Sequence, residues 1–95
     1  MRPGDQYTSL SGKIATVTAI QISCAWTQGE TVVSYIVNLS IDGLLVDGQP
    51  TIGKSKQIDL SGSLAPNRTD AQVVNAWQTA EASVVDRITQ WMDTH

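Results

Sequence analysis

The chain has 95 residues, of which 41% are hydrophobic and only 16% charged, with six Lys and Arg against nine Asp and Glu and a formal net charge of −3. That is enough apolar chain for one hydrophobic core, too little for a two-domain enzyme, and too apolar for a disordered tail. A mildly acidic chain lacks the electrostatic footprint of a nucleic-acid or anionic-lipid binder, and no apolar run exceeds three residues, such as Leu44-Leu45-Val46, so no membrane-spanning helix is expected.

From the N-terminus, residues 1–12 are polar and punctuated by Pro3, Gly4 and Gly12. They read as an arm or an entering loop, with Tyr7 and Leu10 as anchors onto the domain or onto a neighbour. The segment has no apolar signal core, so secretion by a signal peptide is not expected. From Lys13 to Trp26, β-branched residues predominate with a period of two. Ile14, Thr16, Thr18, Ile20, Ile22, Cys24 and Trp26 share one predicted face; Ala15, Val17, Ala19, Gln21, Ser23 and Ala25 share the other. Thr27-Gln28-Gly29-Glu30 has the length and the glycine of a hairpin turn. Thr31 to Ile41 is a second strand, with Val33, Tyr35, Val37, Leu39 and Ile41 on one face.

Asp42-Gly43 predicts a tight hairpin, because Gly tolerates the positive φ of a type I′ turn. It leads to a short strand, Leu44-Leu45-Val46, then a turn at Asp47-Gly48-Gln49-Pro50 and an extended stretch over 51–60 with Ile52, Ile58 and Leu60 in phase. Ser61 to Arg68 reads as a loop punctuated by Gly62 and Pro66. Thr69-Asp70-Ala71-Gln72 fits a capping box, and Asp70 complements the helix dipole. No Gly or Pro follows before His95. At about 100° per residue, Val73, Trp77, Ala80, Val84, Ile88 and Trp91 fall in one stripe, which makes Trp77, Val84, Ile88 and Trp91 the expected core anchors. These elements predict a single α+β domain over 1–95: a polar arm (1–12), an antiparallel, hairpin-rich sheet of about four strands (13–60), and one long C-terminal amphipathic helix (69–94) packed on it.

Motifs that carry chemistry are few. Gly48 to Ser55 matches the phosphate-binding pattern G-x-x-x-x-G-K-[ST], in which backbone amides cradle phosphates and the Lys reaches the outer ones. A working P-loop must run straight into a helix, whereas residues 56–62 alternate like a strand, so nucleotide binding is not expected there. The one histidine, His95, is the last residue, and the one cysteine, Cys24, sits in an apolar strand where a buried structural role is expected rather than a nucleophilic one. A single Cys leaves no intramolecular disulfide, which fits the cytoplasm or a virion. One His and one Cys cannot build a zinc cage, and the aspartates are too scattered for a calcium loop; no cofactor or metal is expected. Asn38-Leu39-Ser40 and Asn67-Arg68-Thr69 are formal glycosylation acceptors with no secretory context.

The charged fraction is below the roughly 25% of an ordinary domain, and a surface so weakly charged is poorly defended against association. Beyond the Trp77 stripe, Val74, Val85 and Met92 form a second apolar strip with Glu81 at its border, a candidate interface. A helix from Asp70 to His95 would run about 38 Å, against a diameter of roughly 32 Å for a sphere of this size, so one end is expected to overhang. The competing expectation is that the N-terminal arm buries the broad arc through Tyr7 and Leu10. No motif ties the chain to a family; its Ser/Thr-rich, weakly charged, Lys-poor composition alone suggests a bacteriophage virion or accessory protein. The expected function is that of a non-enzymatic structural or assembly subunit, a homo-oligomer or a component of a larger particle, with a small monomeric inhibitor or regulator of a host enzyme as the alternative.

Overall fold

Two long runs of β-branched residues set the frame. The computed structural model describes residues 1–95 and places Ile14–Thr27 (β2) against Glu30–Asp42 (β3), an antiparallel pair closed by a two-residue turn at Gln28-Gly29. A short strand, Gln6–Thr8 (β1), adds to the start of β2, and Lys54–Leu64 (β6) lies on the other side of β3. The order β1-β2-β3-β6 makes one four-stranded antiparallel sheet. Between β3 and β6, Leu45–Val46 (β4) and Gln49–Pro50 (β5) form a separate small hairpin. The helix Asp70–Asp93 (α1) covers one face of the sheet. This is the α+β architecture expected from the sequence.

The central strand β3 alternates buried and half-buried residues along its length, Thr31, Val33, Tyr35, Val37, Leu39 and Ile41 facing the helix. Its neighbour β2 departs from the alternation. Val17 pairs with Leu39 but Ala19 pairs with Asn38, so Thr18 is an extra residue in a β-bulge, its hydroxyl donating to the Asn38 carbonyl at 3.0 Å. One inserted residue exchanges the faces of everything beyond it. The helix-side row of β2 is therefore Ala15 and Val17, then Ile20, Ile22, Cys24 and Trp26. It is spliced from the two faces that strict alternation predicts, and the bulge lets both apolar sets point to the same side.

The connection from β3 to β6 also differs from expectation. Asp42-Gly43 does not close a hairpin onto Leu44. Gly43 takes φ 98° beside Lys13, and a Cβ there would stand 3.2 Å from the Lys13 Cγ, so any other residue would be strained and crowded at this crossing. The type I′ geometry sits one turn later, at Asp47 (φ 52°) and Gly48 (φ 78°), where it joins β4 to β5. Thr51 folds this excursion back by donating its amide and hydroxyl to the Leu44 carbonyl at 2.9 and 2.8 Å. Leu44 is buried, whereas Ile52 lies before β6 and is exposed rather than in phase with Ile58. At the far end β6 runs on to Leu64, through Ser61, Gly62 and Ser63, which composition alone assigns to a loop. The unpaired side of β3 as far as Thr31 supplies the ladder those residues would not form alone.

The capping box forms as expected: the Thr69 hydroxyl accepts from the Gln72 amide at 3.3 Å, and the Gln72 side chain accepts from the Thr69 amide at 2.8 Å. The helix then runs from beside Cys24 and Ser23 near the β2–β3 turn to Asp93, whose carboxylate accepts from the Ser11 amide and hydroxyl. Val84, Ile88 and Met92 meet Ala15, Val17, Val37, Leu39, Ile41 and Ile58 in one core. The molecule measures 50 × 22 × 19 Å. The predicted overhang rested on a spherical domain; β3 is long enough to carry the whole helix, about 36 Å for 24 residues, so α1 lies along the sheet.

Candidate functional site

Where a strand edge has no neighbour, its amides and carbonyls face solvent and can pair with another strand. The arm protects only the first part of β2: β1 pairs with Ile14, Ala15 and Thr16, and Gly4 and Asp5 bond to Val17. From Ala19 to Thr27 the outer edge of β2 has no strand beside it. The Trp77 indole N–H donates to the Ser23 carbonyl at 3.2 Å, a group that the Thr27–Glu30 turn register directs toward β3, so the outward backbone groups of the edge are those of Ile20, Ile22, Cys24 and Trp26.

Apolar side chains crowd this edge on its helix side. Ile22 is 50% exposed, Trp26 73% and Val74, on the first turns of the helix, 45%. Between them a groove of about 340 Å³ is lined by Cys24, Arg68, Asp70, Val73, Val74 and Trp77. Cys24 is exposed rather than buried, although the first turns of the helix flank it across the groove. The Arg68 guanidinium lies 6.0 Å from the Trp26 ring centroid, a weak cation–π contact at this exposure. Two buried polar atoms without partners, Thr31 Oγ1 and Arg68 Nε, belong to this same end of the molecule.

A second exposed apolar group stands at the opposite end of the sheet, where Leu45, Val46 and Ile52 project on the β4–β5 excursion, with Leu10 fully exposed on the neighbouring turn. Leu10 is thus no anchor; of the two arm residues so expected, only Tyr7 packs on the core.

The candidate interface residues are dispersed by the fold. Met92 is fully buried in the core and Val85 packs against it, so neither belongs to a free strip. Glu81 does mark a border, but its carboxylate accepts from the Met1 ammonium, so the arm closes over the arc there. Val74 alone remains exposed, beside the β2 edge. Of the expected anchors, Val84 and Ile88 are fully buried, while Trp77 and Trp91 are half-buried at the core's rim. Trp91 stacks on His95 at 4.2 Å between centroids and has the Lys56 ammonium 4.7 Å from its ring centroid.

Titratable groups gather once, where Met1, Tyr7, Tyr35 and Glu81 meet under the arm. Burial, then the Asp5 and Glu81 carboxylates, push the Tyr7 hydroxyl above its ordinary value of 10.0. Burial, then Glu81 and Tyr7, do the same for Tyr35. Both shifts favour the neutral phenol. Gly48 to Ser55 spans the hairpin strand β5 and the start of β6 and leads into a strand, without the following helix that a phosphate loop needs. No three His, Cys, Asp or Glu side chains converge on a point, and no helix is long and apolar enough to cross a membrane.

The free edge was missed by reasoning on side-chain alternation alone. Its signal lies in charge: the sixteen residues Ile14–Gly29 contain no charged side chain. Comparison of the chain with protein-family models, with curated proteins and with solved structures finds no match.

Proposed function

We propose that this chain is a non-enzymatic structural or assembly subunit that acts through protein–protein contacts, as a homo-oligomer or as a component of a larger particle such as a bacteriophage virion. The observation that carries the reading is the placement of its exposed apolar side chains. They are gathered in two groups on a 50 Å molecule, Ile22, Trp26 and Val74 along the half that ends in the β2–β3 turn and Leu45, Val46 and Ile52 at the other end. Gathered exposed apolar groups mark contact surfaces, whereas scattered ones carry no such meaning. Two such separate surfaces suit a subunit with more than one neighbour.

The test is the native mass of the chain released gently from its source, by size-exclusion chromatography with light scattering. The expected result is a species well above the 10.2 kDa of one chain. A lone chain at that mass, at every concentration, overturns the reading. A one-to-one complex with a foreign enzyme would favour the inhibitor alternative.

A further inference from the structure

The two long edges of the sheet are built differently. The β6 edge carries Lys54, Lys56 and Asp59 along its length, and charges of this kind are how sheets block pairing with another chain. The β2 edge, Ala19 to Thr27, carries no charge and no proline over nine residues, and bears Ile22 and Trp26 largely exposed beside it. We propose that this edge pairs with the same edge of a second copy, antiparallel about a two-fold axis at Ser23, so that two four-stranded sheets join into one; this rests on the assembly reading above and names its partner.

Three features select a second copy as the occupant. The first is register. An antiparallel edge is its own complement about a two-fold, and Ser23 is the midpoint of Ala19–Thr27, so all nine free residues pair and the arm at Val17 stays outside the contact. In that register Trp26 meets Ile20 of the other copy, and Cys24 meets Ile22, all on the helix side where their own pairing with β3 places them. The second is charge. The chain is net −3, which weakly opposes association with a second copy. Here the charges in the flanking groove, Arg68 and Asp70, are of opposite sign, and Glu30 stands at the turn beside Thr27. The third is area. Nine residues extend about 30 Å on a molecule 19 Å thick, which gives on the order of 600 Å² per copy, at the lower end for a specific dimer. A reversible dimer is expected.

The register also dictates the test. Gln21 of one copy faces Ala25 of the other, both on the open face of the sheet and exposed in the single chain. Gln21→Lys with Ala25→Lys therefore sets two like-charge pairs directly opposite, as does Gln21→Glu with Ala25→Glu, and both are destabilising. In analytical ultracentrifugation the wild type is expected to be a dimer at high concentration and each variant a monomer with unchanged circular dichroism. An equimolar mixture of the two variants is expected to dimerise again. Cys24 supplies a second readout: the two cysteines would lie about 7–8 Å apart on the diagonal, so a short bismaleimide should yield covalent dimer from wild type and not from either variant alone. If wild type and both variants associate equally, edge pairing is wrong and the assembly reading stands with its interface elsewhere. If wild type stays monomeric at several hundred micromolar, a second copy is wrong, and the native mass decides separately whether the chain assembles with anything else.

Discussion

The two halves of this molecule use the same strands and the same helix to opposite effect. Near the Asp42 end, β2 is paired on both sides, the arm seats Tyr7 on the core and Met1 on Glu81, and Val17, Ile41, Val84, Ile88 and Met92 are almost wholly buried. Near the β2–β3 turn the strands continue for the same length, but the arm is absent. Cys24 and Trp26 face the helix side without cover, Val33 and Val73 are buried outside the main core cluster, and the two unpartnered buried polar atoms sit here. The difference teaches that pattern sets which side of a strand is apolar, while cover depends on what else reaches it. One half is finished by its own chain; the other has the chemistry of a surface that another chain finishes.

The largest expected effect that probes this contrast is in the closed half. Ile88 is 1% exposed, and Ile88→Ala is expected to cost about 3–4 kcal/mol, the range for opening a cavity in a packed core. Urea unfolding checks it, and a loss below about 1 kcal/mol would show that this end is as loosely packed as the other.

Trp77 sits where the halves meet, half-buried and bonded to the Ser23 carbonyl. Trp77→Ala is expected to lose about 2–3 kcal/mol, less than a fully buried Trp, with Trp77→Phe losing about 1 kcal/mol for the hydrogen bond. An unchanged melt for both would place Trp77 off the sheet.

A smaller effect concerns pH. Tyr7 and Tyr35, the only two tyrosines, have their proton affinity raised by folding. Their contribution is complete below the unfolded value of about 10 and is lost as pH rises through the higher folded values. Tyrosinate absorbance should therefore rise later than for a free tyrosine, with stability falling over the same window. A titration centred at the ordinary value would remove the arm from its place on the core.

The smallest effect is expected in the open half. Trp26→Ala, measured at concentrations low enough to keep the chain monomeric, should change folding stability by no more than about 0.5 kcal/mol, because the ring is 73% exposed. The same substitution should weaken the dimer by tenfold or more in sedimentation, since an exposed aromatic that becomes an anchor acts only on binding. A large loss of folding stability would mean that Trp26 already packs on its own chain.

How legible all this was follows from range. The capping box, the helical stripe, the alternation of β3 and the Gln28-Gly29 turn lie within a few residues of chain, and they were readable because backbone hydrogen bonding and amphipathic spacing are local. The same residues determined by themselves that the protein is an α+β domain with its helix last. Tertiary structure decided the rest. The bulge at Thr18 exists because β3 holds the partner register, and it redistributes the faces of β2 that alternation alone had assigned. Met92 belongs to the core and Val85 packs on it because the sheet is long enough to lie under the whole helix, a dimension no window of sequence contains. Glu81 is taken up by an ammonium 80 residues away, and Cys24 lies exposed beyond Val17, where the arm's backbone bonds to β2 end. Each of these depends on which distant segment arrives, since burial belongs to the neighbours of a residue and not to the residue.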